Sequence, residues 1–339
     1  MLQTAIPSPW TVREADFPVN APPSELARHL LRYAILAPST KNTQPWTFHV
    51  AGSTVHVLPD FARWQRVADP DQRELHISLG CALENLIVAA DHFGYDCTVA
   101  YGPPEAGPRA AVASVTITPA RAGTPHMRPA GLFAGLTSRL AVREPFTARG
   151  VPAAIRRQLE HLPVDDGVSL LLTDDPATLR GLDRLNTEAD VAEVGDADYR
   201  RELAHWVGQG IFGTSWIVSK LGRILLPHLD NGRRVARRNS ARLDHAPLIG
   251  LIATASDDRT AQVRAGQVFE RLFLMATLLG LSVQPMSQAL EIPTLRSRVP
   301  KLFPGALPFA QQPFRIGYAI DGRRRRHTPR RRVEEVLAS

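Results

Sequence analysis

Residues 37–48 read Ala-Pro-Ser-Thr-Lys-Asn-Thr-Gln-Pro-Trp-Thr-Phe. Two small polar side chains, Ser39 and Asn42, lie on a loop bracketed by Pro38 and Pro45. Proline restricts the backbone, so little ordering entropy remains to be lost on binding. Hydrogen-bonding groups on a stiff loop suit a polar ring edge. The plainer alternative is a proline-rich turn holding a core tryptophan. A second group of residues is cationic. Arg139 and Arg143 lie four apart in Ser138–Phe146, and Arg330 and Arg332 alternate near the C-terminus. In an extended segment, alternate residues share a side. Guanidinium groups match phosphate oxygens through paired hydrogen bonds. The alternatives are solvated arginines at a helix end and, for Arg323 to Arg326, a disordered basic tail.

Other chemistries find less support. Two cysteines, Cys81 and Cys97, cannot build a Cys-ligated zinc cluster or a disulfide framework. Reduced, buried thiols fit the cytoplasm. The eleven histidines form no HExxH motif, no metal site is expected, and no GxSxG elbow occurs. Gly208–Gly213 matches GxGxxG, but the residues before it look helical rather than strand-like, which argues against a dinucleotide fold. The net charge is +7, and all but three of the 40 basic residues are Arg. Such a balance points to an anionic partner or phosphorylated cofactor. No aromatic interleaving supports nucleic-acid stacking, so no nucleic-acid partner is expected. No secretory leader or apolar run long enough to span a bilayer is seen.

These residues need elements to position them. Leu26, Leu30, Leu31 and Ala34 recur at helical spacing, giving a helix over 24–36 that stops before Pro38. Strands follow at 46–50 and 54–58. Asp69-Pro70-Asp71-Gln72 reads as a helix start, with Asp69 as cap, Pro70 at the first helical position and Gln72 closing a capping box. That helix runs to Phe93. A strand is expected at 112–117 and a Pro/Gly-rich linker near 121–131. The second half reads as helices at 132–140, 151–162 and 176–191, and strands at 168–172 and 248–254. Next come a buried helix at 262–279 and a strand from Val283. Residues 199–245 look irregular and basic, an insertion. Its Ile211, Phe212, Trp216 and Ile217 suit either a mobile lid or an interdomain contact. The expected division is 1–120, a linker at 121–131, and 132–339.

The two long helices are copies of one another. The segment from Ile77 resembles that from Val263 at a constant offset of 186, which pairs Gly80 with Gly266, Glu84 with Glu270, Leu86 with Leu272, Ala90 with Ala276 and Gly94 with Gly280. A repeat near half the chain length means two related domains able to pack as two subunits would.

The loop at 37–48 resembles the APSxxNxQPWxF signature of the nitroreductase family, in particular its Acg-like branch of fused chains. The resemblance covers most of residues 20–335 and is loose between 172 and 245. It implies an α+β nitroreductase fold, duplicated within one chain as an intramolecular pseudo-dimer. It implies that Pro38, Ser39, Asn42 and Gln44 line an FMN. Arg139 would meet the FMN phosphate, with Arg330 and Arg332, and Arg143 the pyrimidine edge. Ala141 stands where a Ser or Thr is usual, which removes one contact. Pro285, Met286, Ser287 and Gln288 would supply backbone N–H groups near N5. The loop comes from one half and the other parts from the second half, so one FMN per chain is implied. No catalytic side chain is implied, because the cofactor carries the chemistry. The implied activity is electron transfer from NAD(P)H to a small acceptor such as a nitro compound, a quinone or a free flavin. The alternative is a flavin-sequestering protein with little turnover; oxidative destruction of FMN ranks behind both. Further homo-oligomerisation stays open.

Overall fold

A computed structural model of the chain describes residues 8–102, 107, 110–121, 123, 125–142, 144–211, 213, 216–225, 246–320 and 326–338. The first half contains α1 (Pro23–Ala34), β1 (Trp46–Ala51), β2 (Thr54–Pro59), α2 (Arg73–His92), β3 (Tyr95–Tyr101) and β4 (Ala113–Pro119). In the second half are α3 (Leu132–Ser138), α4 (Ala153–Glu160) and β5 (Val168–Thr173), then α5 (Pro176–Gly195), α6 (Ala197–Gly208) and α7 (Trp216–Leu225). These are followed by β6 (Leu248–Thr254), α8 (Arg259–Leu278), β7 (Ser282–Pro285), α9 (Gln288–Glu291), α10 (Pro293–Arg296), β8 (Phe309–Gly317) and α11 (Val333–Val336).

Each half holds a four-stranded antiparallel sheet, in the order β1-β2-β4-β3 and β5-β6-β8-β7. The two orders are one topology, and the long helix enters each at the same step. The α+β fold is therefore duplicated.

The halves meet where α2 crosses α8. Both helices are buried nearly all round, as a helix enclosed by protein must be. They approach at Gly80 and Gly266. A Cβ on Gly80 would lie 2.0 Å from the Val263 carbonyl oxygen, and one on Gly266 would lie 2.0 Å from that of Ile77. Ile77 and Val263 are themselves 186 apart, so the crossing treats the two copies alike. Only glycine permits this approach. The main core then spreads from the crossing through Leu30, Trp46, Phe48, Leu83, Leu272, Phe273 and Phe314.

Two readings of the sequence need correction. Helix α2 begins at Arg73, so Pro70 is not its first residue. Residues 69–72 form a turn instead, in which Gln72 N–H donates to the Asp69 carbonyl (3.0 Å) and Gln72 takes φ 63°. Asp69 still caps the helix, accepting from Glu74 N–H and Leu75 N–H at 2.9 Å each. The segment from 199 is not irregular, because α6 and α7 are helices; residues 226–245 and Phe212 lie outside the described residues. The connection from β5 to β6 spans 174–247, whereas β1 and β2 are joined by Gly52–Ser53 alone. Helix α5 in this connection packs with α9 and α10 in a second core around Leu182, Leu185, Ile249, Leu251, Met286 and Leu290. Strand β6 is consequently buried at every residue, while β2 alternates. Alternation marks a sheet covered on one face, and continuous burial one covered on both.

Candidate functional site

The loop after α1 is held in an unusual shape. Lys41, Asn42 and Gln44 have φ of 47°, 60° and 53°. Non-glycine residues with such angles are uncommon, and Lys and Gln have no special tolerance for them. Strain of this kind persists only where surrounding contacts impose it. Here Ser39 Oγ accepts from Gln44 N–H (2.9 Å), and Gln65 Nε2 donates to the Thr40 carbonyl (3.1 Å). Pro38 and Ser39 are half-buried, and Asn42 and Gln44 are buried.

The C-terminal segment lies across this loop. Asn42 Nδ2 donates to the carbonyls of Pro329 (3.0 Å) and Ile211 (2.6 Å), so the long connection reaches the loop too. Arg330 Nη1 donates to Asn42 Oδ1 (2.6 Å) and Thr328 Oγ1 (2.7 Å). Gln44 Oε1 accepts from Arg331 N–H at 2.7 Å. The Arg331 guanidinium bonds the carbonyls of Gln44 and Trp46 and the Asp60 carboxylate at 3.1–3.2 Å. On the outer side Trp10 stacks on His327 with centroids 3.9 Å apart, and the Arg330 guanidinium lies 4.7 Å from the Trp10 ring.

Arg139, at the end of α3, reaches the same place from the second half. It is buried, and its Nη2 donates to the Leu36 carbonyl at 2.6 Å. Arg330 Nε and Nη2 meet that carbonyl at 3.3 and 3.2 Å. Two guanidinium groups therefore converge on the last turn beyond α1, where free carbonyls attract cations. Burial first, and then Arg139, push the Arg330 guanidinium well below its ordinary range. Burial likewise lowers His327, with help from both arginines. Glu270, wholly buried in α8, faces them, with Oε1 3.1 Å from Arg139 Nε. Burial pushes its carboxyl up to about 7 despite the nearby arginines.

After Arg139 the chain forms a parallel bridge, Ala141 to Val283, beside β7. Arg315 holds this stretch in place, donating to the Glu144 carbonyl (2.6 Å) and lying over Phe146. This sets it next to the turn at Pro285, Met286, Ser287 and Gln288. Met286 is buried and its N–H donates to the Pro313 carbonyl at 2.9 Å. Gln288 Oε1 is buried without a hydrogen-bond partner. The turn joins the first-half loop through Glu291, which lies 3.3 Å from Lys41 Nζ and 3.5 Å from Ser287 Oγ. Burial raises Glu291 to about 7. Lys41 also lies over the Tyr199 ring, 4.8 Å from its centroid, so α6 closes this side.

The structure thus brings Pro38, Ser39, Asn42, Gln44, Arg139, Arg330 and the 285–288 turn to one junction. Arg332 does not join them. It is exposed, and its N–H donates to Glu335 Oε2 (2.7 Å) at the start of α11, where the chain bends out of its extended path. Arg143 lies outside the described residues. Reading the sequence missed Lys41, Glu291, Glu270 and Arg331. Glu270 had a visible signal as an identity in the repeat; Arg331 was hidden by the assumption that 330 and 332 share a side. Among the described residues no cluster suited to a metal ion occurs, and no helix is long and apolar enough to cross a membrane.

No family model matches the chain. A protein of Mycobacterium tuberculosis H37Rv, provisionally named an NAD(P)H nitroreductase, is 28% identical over 326 residues, covering 93% of this chain and 92% of the relative. A second from the same strain, provisionally named NAD(P)H nitroreductase acg, is 25% identical over 327 residues, covering 93% and 96%. A solved structure of the FMN- and NADPH-dependent nitroreductase NfnB from a Sphigopyxis strain aligns with a TM-score of 0.41 at 17% identity, over 62% of this chain and 98% of that one. The sequence similarity to these two proteins runs from end to end rather than through one motif.

Proposed function

We propose that the chain binds one FMN at the junction of its halves and uses NAD(P)H to reduce a small acceptor. The observation that carries this reading is the convergence of Arg139 and Arg330 on the Leu36 carbonyl, beside a strained loop from the opposite half. A buried and a half-buried guanidinium group side by side call for an anion. The residues fit a phosphorylated flavin. Polar atoms without hydrogen-bond partners lie here: Glu270 Oε2, His327 Nδ1 and Gln288 Oε1. Arg139 and Arg330 would hold the phosphate. Ser39, Asn42 and Gln44 would orient the ring from one side, and the turn at Pro285 to Gln288 from the other. Arg143 is proposed for the pyrimidine edge. Bound flavin supplies hydride acceptance from a nicotinamide and onward electron transfer. The fused halves would then act as the two subunits of a dimer do, with one of two equivalent positions in use.

A second reading, flavin storage, is favoured by two hydrogen bonds. Ile211 and Pro329 both accept from Asn42, so the long connection and the C-terminal segment close over the loop. A covered ring meets NAD(P)H poorly. Anaerobic addition of NADPH to the yellow protein separates the two: rapid bleaching of the flavin band supports turnover, and persistent colour supports storage. Protein that is colourless and does not take up FMN, or that takes up two FMN per chain, refutes the one-site reading.

A further inference from the structure

Helices α2 and α8 each carry one wholly buried glutamate at equivalent positions, Glu84 and Glu270. Their surroundings differ. Glu84 is saturated. Arg271 meets its two oxygens at 2.7 and 3.1 Å, Arg128 meets them at 2.6 and 2.9 Å, and Gln267 Nε2 adds a bond of 3.3 Å. Glu270 has a single ion-pair partner, Arg139 Nε at 3.1 Å from Oε1, and its Oε2 has no hydrogen bond. Arg139 and Arg330 are turned to the Leu36 carbonyl instead. Beyond the end of α4, the Pro163 carbonyl accepts from Arg271. The fold offers both carboxylates the same scaffold, so the open valences of Glu270 are a property of this one end.

We propose that Glu270 is the charge-balancing residue of the anion site: it holds Arg139 while the site is empty and takes up one proton when a phosphate monoester dianion binds to Arg139 and Arg330. This deepens the reading above and rests on its assignment of the two arginines to a phosphate. Two guanidinium groups and one carboxylate carry a net charge of +1. A dianion would leave that low-dielectric pocket at −1, whereas a proton from solvent on a Glu270 oxygen leaves it neutral. Nothing is oxidised or reduced, and the proton is the whole exchange. Neutralising a buried carboxyl costs less than leaving an unbalanced buried charge. The protonated carboxyl also gains an O–H donor that an ionised one lacks. Other charged or titratable groups near Glu270 are Arg139 at the end of α3, Arg330 in the C-terminal segment, and Glu84 and Cys81 on α2. His327, beside both arginines and stacked on Trp10, is the rival proton acceptor at this site.

The sign follows from linkage. The bound state holds one proton more than the free state, so affinity falls as pH rises above the range where free Glu270 titrates, by up to about tenfold per pH unit. The test is calorimetric titration of the full chain, stripped of flavin, at pH 8 in two phosphate-free buffers of different ionisation enthalpy. FMN, riboflavin and inorganic phosphate serve as separate probes. The expected result is close to one proton taken up per FMN and none with riboflavin. Glu270→Gln abolishes the uptake and flattens the pH dependence, while His327→Asn keeps both. A second readout needs no variant: an infrared band of a protonated carboxyl appears when FMN is added to the native chain. The proposal is overturned if FMN binds with no proton uptake, if uptake survives Glu270→Gln, or if it vanishes in His327→Asn. The two readings fail separately. FMN and riboflavin binding alike, without protons, refutes the role of Glu270 and spares the flavin. Inorganic phosphate binding with proton uptake, in a chain that ignores flavins, does the reverse.

Discussion

The paired glutamates allow the same substitution to be made twice in one fold with opposite expected signs. In the flavin-free chain Glu270 is buried, and its carboxyl is raised from 4.5 to about 7, chiefly by burial. A carboxyl raised on folding binds more protons in the folded state. Its contribution to stability is full below about pH 4.5 and is lost as pH rises to about 7. The gap of about 2.5 units corresponds to about 3 kcal/mol of penalty at pH 8, at 1.36 kcal/mol per unit. Glu270→Gln, nearly the same shape and always neutral, removes that penalty. It is expected to stabilise the flavin-free chain by about 3 kcal/mol at pH 8 and by under about 1 kcal/mol at pH 5. Glu84 is the mirror case. Burial opposes its charge, but Arg271 and Arg128 overcome burial and hold the carboxyl down at about 2. Its stabilisation is present above pH 4.5 and is lost as pH falls through about 2. Glu84→Gln therefore costs about 3 kcal/mol at pH 8 and leaves the buried Arg271 and the half-buried Arg128 unbalanced. Urea unfolding followed by tryptophan fluorescence at pH 5 and pH 8 measures both. Glu270→Gln as destabilising as Glu84→Gln, or a stabilisation unchanged between the two pH values, would refute the reasoning.

Three further outcomes are expected. Gly266→Ala drives a Cβ to within 2.0 Å of the Ile77 carbonyl oxygen, backbone against backbone, and should cost about 3 kcal/mol or more by chemical denaturation; a cost under about 1 kcal/mol would mean the crossing is looser than described. Arg330→Gln should weaken FMN by roughly 10- to 100-fold while leaving riboflavin nearly unchanged, measured by quenching of flavin fluorescence, because one charge-assisted contact to the phosphate is worth about 1.5–3 kcal/mol. Equal losses for both ligands would place Arg330 away from the phosphate. Cys81 and Cys97 are buried free thiols, the second raised to about 12 by burial, so an aromatic disulfide reagent at pH 8 should modify neither until urea unfolds the chain. Rapid modification of either in the native state contradicts that placement.

What was legible in the sequence is what short-range rules or exact repetition impose. The Gly80–Gly266 identity is a contact requirement, so it survives in both copies and announces the duplication. The Pro38–Pro45 loop was legible through its prolines and small polar residues, as were the strands around it, although the left-handed angles at Lys41 and Gln44 are imposed by its surroundings. The start of α2 was misread because Asp69 caps through a left-handed Gln72 that nothing local demands. The run before Gly208 read as helical and is α6, which Asp196 caps by accepting from Asp198 N–H at 2.8 Å, but α7 was missed because basic composition was taken for irregularity. Alternation grouped Arg330 with Arg332, yet α11 starts at Val333 and turns Arg332 outward, leaving Arg331 to anchor the segment.

The asymmetry of the site was hidden for a deeper reason. Glu84 and Glu270 are the same residue at the same place in a repeat, and comparing the copies can only call them alike. They are distinguished by partners that the repeat does not contain: Arg128 from the linker side, Arg139 at the end of α3, and Arg330 near the C-terminus. Arg271 has Asn85 as its counterpart at the repeat offset, so even the repeated helix supplies a cation on one side alone. In a homodimer both ends must bind the same groups, since one sequence serves twice. Fusion removes that restriction. One end can satisfy its carboxylate fully and serve stability, while the other keeps unsatisfied valences and serves a ligand. The chemistry then diverges through the connecting and terminal segments, even while the paired sheets and the helix crossing stay alike.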